Sequence, residues 1–169
     1  MLGKRSRFLL ENARFVTLAT SGPAGIWAST VNYVVLPNPL RLLWYSLKTA
    51  RHSLNIAAQP YISGSLFLTG LTGSNAPSGI PIDGAQLTGT CHEVSGPEAT
   101  EHHREYYERN FPDPAIREQW LLPLSDFRDE GPRRFYSLRV NDWWLYDADR
   151  WLVDKHDTRV EVPLSTIHI

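Results

Sequence analysis

The chain has 169 residues, with 17 Lys and Arg against 18 Asp and Glu and a formal net charge of −1 at neutral pH. That length suits one domain with a sizeable core, and the near-neutral balance favours neither nucleic acid nor an anionic membrane surface, so a small-molecule partner is expected. The single cysteine, Cys91, excludes an internal disulfide or a multi-cysteine metal site; the basic N-terminus lacks a long apolar core and no stretch approaches a membrane span, so a cytoplasmic location is expected.

In chain order, residues 5–12 read as a short helix with Phe8 and Leu9 facing inward, and residues 15–20 as a first strand rich in β-branched and aromatic side chains. The Ser-Gly-Pro-Ala-Gly run at 21–25 forces a turn into a second strand over 26–36. Pro37, Asn38 and Pro39 then turn the chain into a third, bulky strand over 40–45, so the first three strands are expected to form an antiparallel meander.

The segment at 45–60, YSLKTARHSLNIAAQP, carries the strongest chemical signal. Thr49 is the expected N-cap of a helix in which Leu54, Ala57 and Ala58 recur at helical spacing and which Pro60 closes. The first-turn amides of such a helix lack intrahelical partners and lie at the positive end of its dipole, which suits an anion. Arg51 can add a forked, permanently charged clamp, with Ser46, Lys48, Thr49 and His52 within reach. An arginine that merely solvates a first turn is the plain alternative.

Residues 61–69 read as a fourth strand, 70–84 as a long loop containing Gly and Pro, and 85–94 as a fifth strand. A helix with its charges toward water is expected over 97–110, a short helix over 115–121, and closing strands over 135–146 and 151–153. About six antiparallel strands with few helices describe a mainly β fold, a small barrel whose ends are covered by helices. Six Trp, seven Tyr and six Phe suit either its core or an aromatic pocket.

The runs ARFVTLATSGPAGIWASTVNYVV, LRLLWYSLKTARHSLNIAAQP and GAQLTGTCHEV together resemble the pyridoxamine 5'-phosphate oxidase-like flavoproteins, whose fold is an FMN-binding split β-barrel. The resemblance covers roughly half the chain, and Tyr45, Ser46, Arg51, His52, Asn55, Ile56 and Pro60 stand in register with its most specific motif. It implies that Arg51 grips the FMN phosphate, that Tyr45 and Ser46 contact the phosphate arm, and that His52 stands where lysine is common, making that charge depend on pH. It further implies that the strand from Ala28 through Ser29, Thr30, Val31 and Asn32 runs beside the flavin ring and that Gln86 approaches it. A homodimer with FMN at the subunit interface follows from the same resemblance.

The C-terminal arginine and histidine segment of true pyridoxamine phosphate oxidases has no counterpart here; His156 and Arg159 do not fit its spacing and read as a solvated tail. His102, His103 and Glu105, with Cys91 and His92, supply metal-ligand types without metal-site spacing, so no metal is expected. Trp27, Trp44, Trp143 or Trp144 could stack on the ring or simply pack. Three readings remain: an FMN-dependent oxidoreductase of unknown substrate, with no assignable catalytic acid or base; a non-catalytic or stress-related flavin binder; and a split-barrel relative using a deazaflavin or haem, the last needing a histidine ligand from the C-terminal half.

Overall fold

Alternating burial shapes the first strand of the opening hairpin. Strand β1 (Phe15–Gly22) buries Val16, Leu18 and Thr20 on one face and exposes Thr17 and Ala19 on the other. It pairs antiparallel with β2 (Gly25–Asn32) from Phe15 opposite Asn32 to Gly22 opposite Gly25, leaving Pro23 and Ala24 as a two-residue turn. Gly25 has φ of +92°, a conformation that favours glycine. The computed structural model describes residues 1–68 and 83–169, so the expected 70–84 loop lies almost wholly outside the described residues.

The expected single second strand is broken at Tyr33 into β2 and β3 (Val34–Leu36). Tyr33 turns aside to donate its amide to Arg14 O at 3.1 Å and its hydroxyl to Leu10 O at 3.1 Å, which ties the bend to α1 (Leu2–Asn12) and the residues just after it. As a result β2 pairs with β1 while β3 pairs with β4 (Arg41–Leu47), as a meander requires. The two halves nevertheless stand at opposite ends of the sheet.

Its order is β2-β1-β5-β6-β7-β4-β3, with β5 (Tyr61–Leu68), β6 (Asp83–Glu93) and β7 (Arg133–Tyr146), while a short β8 (Arg159–Glu161) pairs with β7. Because β2 runs into β3, the antiparallel sheet curls on itself into the expected split barrel, with eight strands rather than six. Helix α2 (Arg51–Ala58) follows β4, and α3 (Glu98–Asn110) and α4 (Pro114–Trp120) follow β6.

Two apolar clusters divide at the sheet. Inside lie Leu18, Val31, Leu42, Trp44, Leu87, Trp143 and Leu145, sealed by Leu9 and Leu10 of α1. On the other face of β4 and β7, Leu43, Phe127 and Phe135 pack against Tyr106 and Tyr107 of α3. A buried ion pair joins α1 to the start of β6: Arg5 donates to both carboxylate oxygens of Asp83 at 3.0 and 2.9 Å and to Tyr146 O at 3.0 Å. The two residues are only 3% and 4% exposed.

Three local expectations give way. Thr49 is not the cap of α2; that position is Ala50, which offers no side-chain bond, because the turn over 48–50 carries the chain one residue further before the helix begins. The inward face of α2 is Ser53, Asn55 and Ile56, with Leu54 left 59% exposed, because the helix lies against the polar end of the β1–β2 hairpin. Residues 151–153 belong to a helix, α5 (Ala148–Asp154), whose Asp147 cap accepts from the Arg150 amide; the tail beyond it stays exposed at His156 and Arg159 while pairing as β8 with β7.

Removing Asp83 leaves Arg5 buried and unpaired, which typically costs about 3–5 kcal/mol. Denaturant unfolding of Asp83→Ala should show a loss of that order, with a smaller loss in Arg5→Leu/Asp83→Leu.

Candidate functional site

The start of α2 gathers part of the sequence-predicted set. Arg51 donates through one terminal nitrogen to Ala24 O at 2.5 Å, and its guanidinium carbon lies 4.5 Å from the centre of the Trp27 ring. Its Nε is buried with no hydrogen-bond partner. One residue on, His52 Nε2 is hydrogen-bonded to Ser46 Oγ at 2.7 Å, and Ser53 donates to Leu47 O at 2.8 Å. The helix therefore opens with amides that no side chain caps, a fixed cation and an imidazole, groups that suit an anion chemically.

A second polar link holds this turn on the barrel. Asn55 donates to Thr20 Oγ1 at 3.1 Å, and Thr20 donates to Trp27 O at 3.3 Å, so helix, β1 and β2 share one chain of bonds. Gly22 makes room at this contact: a Cβ there would stand 2.2 Å from Asn55 Oδ1 and would displace that side chain.

Strand alternation separates the remaining residues. On β2, Trp27, Ser29 and Val31 face the barrel side, opposite Thr20, Leu18 and Val16, whereas Ala28 and Thr30 lie on the outer face opposite Ala19 and Thr17. Ser29 Oγ is buried without a partner, and the Thr30 and Thr17 hydroxyls are 3.2 Å apart. Ser29 and Thr30 thus cannot offer their side chains to the same ligand face.

Both polar atoms of Asn32 are engaged elsewhere. Its Oδ1 accepts from Tyr106 and Asn110 at 2.9 and 2.6 Å, and its Nδ2 donates to Arg14 O at 2.8 Å. Tyr45 is likewise apart from Ser46, wedged between the rings of Tyr106, Tyr107, Phe127 and Phe135. Thr49 lies exposed in the turn before α2.

Gln86 falls in a different place, a cavity of about 610 Å³ on the outer face of the sheet. Thr17, Ala19, Ala28, Ser63, Ser65 and Thr88 supply small side chains to its wall, and Trp144 and Arg159 stand at the far end. Sequence reasoning passed over Ser63, Ser65 and Thr88, although small residues at every second position of β1, β5 and β6 were a readable sign of an open sheet face. Among the four candidate tryptophans, Trp44 and Trp143 are core, Trp27 meets Arg51 and Trp144 meets this cavity.

The metal-type side chains remain dispersed. His102 Nδ1 is bonded to Glu98 O and His103 Nε2 to Leu122 O, burial pushes the Cys91 thiol up, and among the described residues no three His, Cys, Asp or Glu side chains gather to hold a metal. No helix among the described residues is long and apolar enough to cross a membrane.

Burial lowers the pKa of His52 below the ordinary histidine value of about 6.5. Just below that pH the unfolded chain binds more protons than the folded one, so His52 makes stability fall as the pH drops through this window. Melting temperatures followed downward from neutral pH should decline less steeply for His52→Gln than for the wild type, and added phosphate, which favours the imidazolium, should reduce the difference.

By sequence, the chain matches no protein-family model and no curated protein. By structure, it resembles a heme binding protein from Mycobacterium smegmatis, with a TM-score of 0.65 and 18% identity over 99% of this chain. The chain spans 60% of the length of that protein. It also resembles a FAD-binding protein from Mesorhizobium loti, with a TM-score of 0.56 and 14% identity over 80% of this chain and 86% of that one. A candidate pyridoxamine 5'-phosphate oxidase from Listeria innocua gives 0.57 and 13% over 86% and 98%. At these identities the likeness is one of fold, the split barrel of pyridoxamine 5'-phosphate oxidase-like proteins.

Proposed function

We propose, from the split-barrel fold and the geometry at the start of α2, that this protein binds FMN and acts as an FMN-dependent oxidoreductase on a small molecule. The observation that carries the reading is Arg51: a permanent cation at an uncapped helix start, fixed by Ala24 O and Trp27 yet with a buried Nε that has no protein partner. A phosphate dianion would accept from the other terminal nitrogen of Arg51 and from the uncapped first-turn amides, with Thr49 in the turn, His52 on the helix and Ser46 at the end of β4 beside it.

The rest of the cofactor would follow β2 toward the outer cavity. The backbone from Ser29 to Asn32, the Thr30 hydroxyl and the Gln86 amide are the groups available to meet the ring, and about 610 Å³ is ample for a flat ligand. Bound FMN would supply hydride or single-electron transfer, while the protein binds, orients and shields it. No side chain here is assigned as acid or base, so a non-catalytic flavin binder is the competing reading. Haem is the other: a solved protein of this fold is named a heme binder, but among the described residues the cavity wall has no His, Cys, Met or Tyr to ligate iron.

The reading includes a homodimer in the cytoplasm. Phe15 of β1 and Tyr61 and Phe67 of β5 are each more than half exposed, an apolar sheet face that a second copy could cover, with FMN between the subunits.

The visible spectrum of the purified protein decides the cofactor: flavin bands are expected, a Soret band would support haem, and a colourless protein that takes up no added FMN would end the flavin reading. Arg51→Ala should weaken FMN binding by roughly 1.5–3 kcal/mol, the worth of a charge-assisted hydrogen bond, in a calorimetric titration. Reduction of the bound FMN by NADPH or NADH separates enzyme from binder. Light scattering should give twice the chain mass for the wild type and a single-chain mass for Phe67→Lys.

A further inference from the structure

The phosphate-gripping arginine has a partner of its own. The guanidinium of Arg51 lies over the Trp27 ring at 4.5 Å, while one terminal nitrogen is held by Ala24 O, the second residue of the β1–β2 turn. An arginine side chain otherwise samples many rotamers, and an aromatic face beneath it restricts that freedom while leaving the second terminal nitrogen without an acceptor among the described residues. Trp27 is itself fixed: its carbonyl accepts from Thr20, which accepts from Asn55 of α2. The contact thus spans the junction between the hairpin and the helix that bears Arg51.

We propose that Trp27 is a positioning residue for anion binding, holding the Arg51 guanidinium in the orientation that receives the FMN phosphate. The ring is 41% exposed and packs on no other aromatic ring among the described residues, so its contact with Arg51 is the feature that needs a flat aromatic side chain here. Removing the ring releases Arg51 into more rotamers and weakens the grip on phosphate without removing any group that touches the ligand. This inference rests on the FMN reading for its ligand, but its physical content concerns any phosphate at the start of α2.

The experiment is a calorimetric cycle of Trp27 and Arg51 variants titrated with FMN, riboflavin and inorganic phosphate. Trp27→Ala should lose about tenfold in FMN affinity, Trp27→Phe should retain most of it, and Trp27→Leu, of similar bulk without a π face, should behave as alanine does. Riboflavin, which lacks the phosphate, should bind the wild type and all three variants alike, and in an Arg51→Ala background the Trp27 substitutions should have no further effect. Equal losses for FMN and riboflavin, or losses that persist without Arg51, would overturn the proposal and leave the flavin reading standing. Phosphate binding with the same Trp27 and Arg51 coupling but no FMN binding would uphold the positioning role and end the flavin reading; a wild type that binds neither ends both.

Discussion

The fold depends on one bend. At Tyr33 the chain leaves the ladder with β1 and joins the ladder with β4, so a single run of residues supplies both ends of the sheet order. An open sheet would leave two free edges and a core exposed on one side; a shared bent strand removes much of that edge and encloses Trp44, Trp143 and their neighbours. The bend is held by the bonds from Tyr33 to Arg14 O and Leu10 O, which makes the first helix part of the closure rather than an appendage. The Arg5 to Asp83 pair fastens the same helix to β6.

Closure also decides where chemistry can occur. The interior is filled by large side chains, and the candidate polar groups gather at the barrel's end and on its outer face. At the end, α2 sits against the β1–β2 hairpin through the Asn55, Thr20 and Trp27 chain, and its first turn presents Arg51 and His52. On the outside, Ala, Ser and Thr side chains leave a shallow floor beside Gln86 and Trp144. Ala28 belongs to that floor, whereas Trp27, its neighbour on β2, faces the other side, so the two places lie on opposite faces of one strand.

Much of this was legible in the chain itself. Two-residue alternation in β1 and β5, the glycine turn at 22–25 and the basic pair after β4 are local signals, and each marks an element found where expected. Other features were hidden for identifiable reasons. A run such as Trp151, Leu152 and Val153 has the composition of a strand, yet the Asp147 cap makes it helical. The inward face of α2 reads as apolar by spacing, but it meets the polar hairpin and so buries Ser53 and Asn55 instead.

The amino-acid sequence by itself determined a mainly β chain, its barrel class, and a helix that begins with a permanent cation, because these follow from residue type and short-range periodicity. Only the tertiary structure decided which members of the candidate set stand together. Arg51 and His52 share the first turn of α2 and Ser46 of β4 is bonded to His52, whereas Tyr45 is enclosed by four aromatic rings and Asn32 is bound to α3 and Arg14. The physical reason is pleat geometry: adjacent residues on a strand face opposite sides, and which side is occupied by a helix, a core or open space is set by elements far away in the chain.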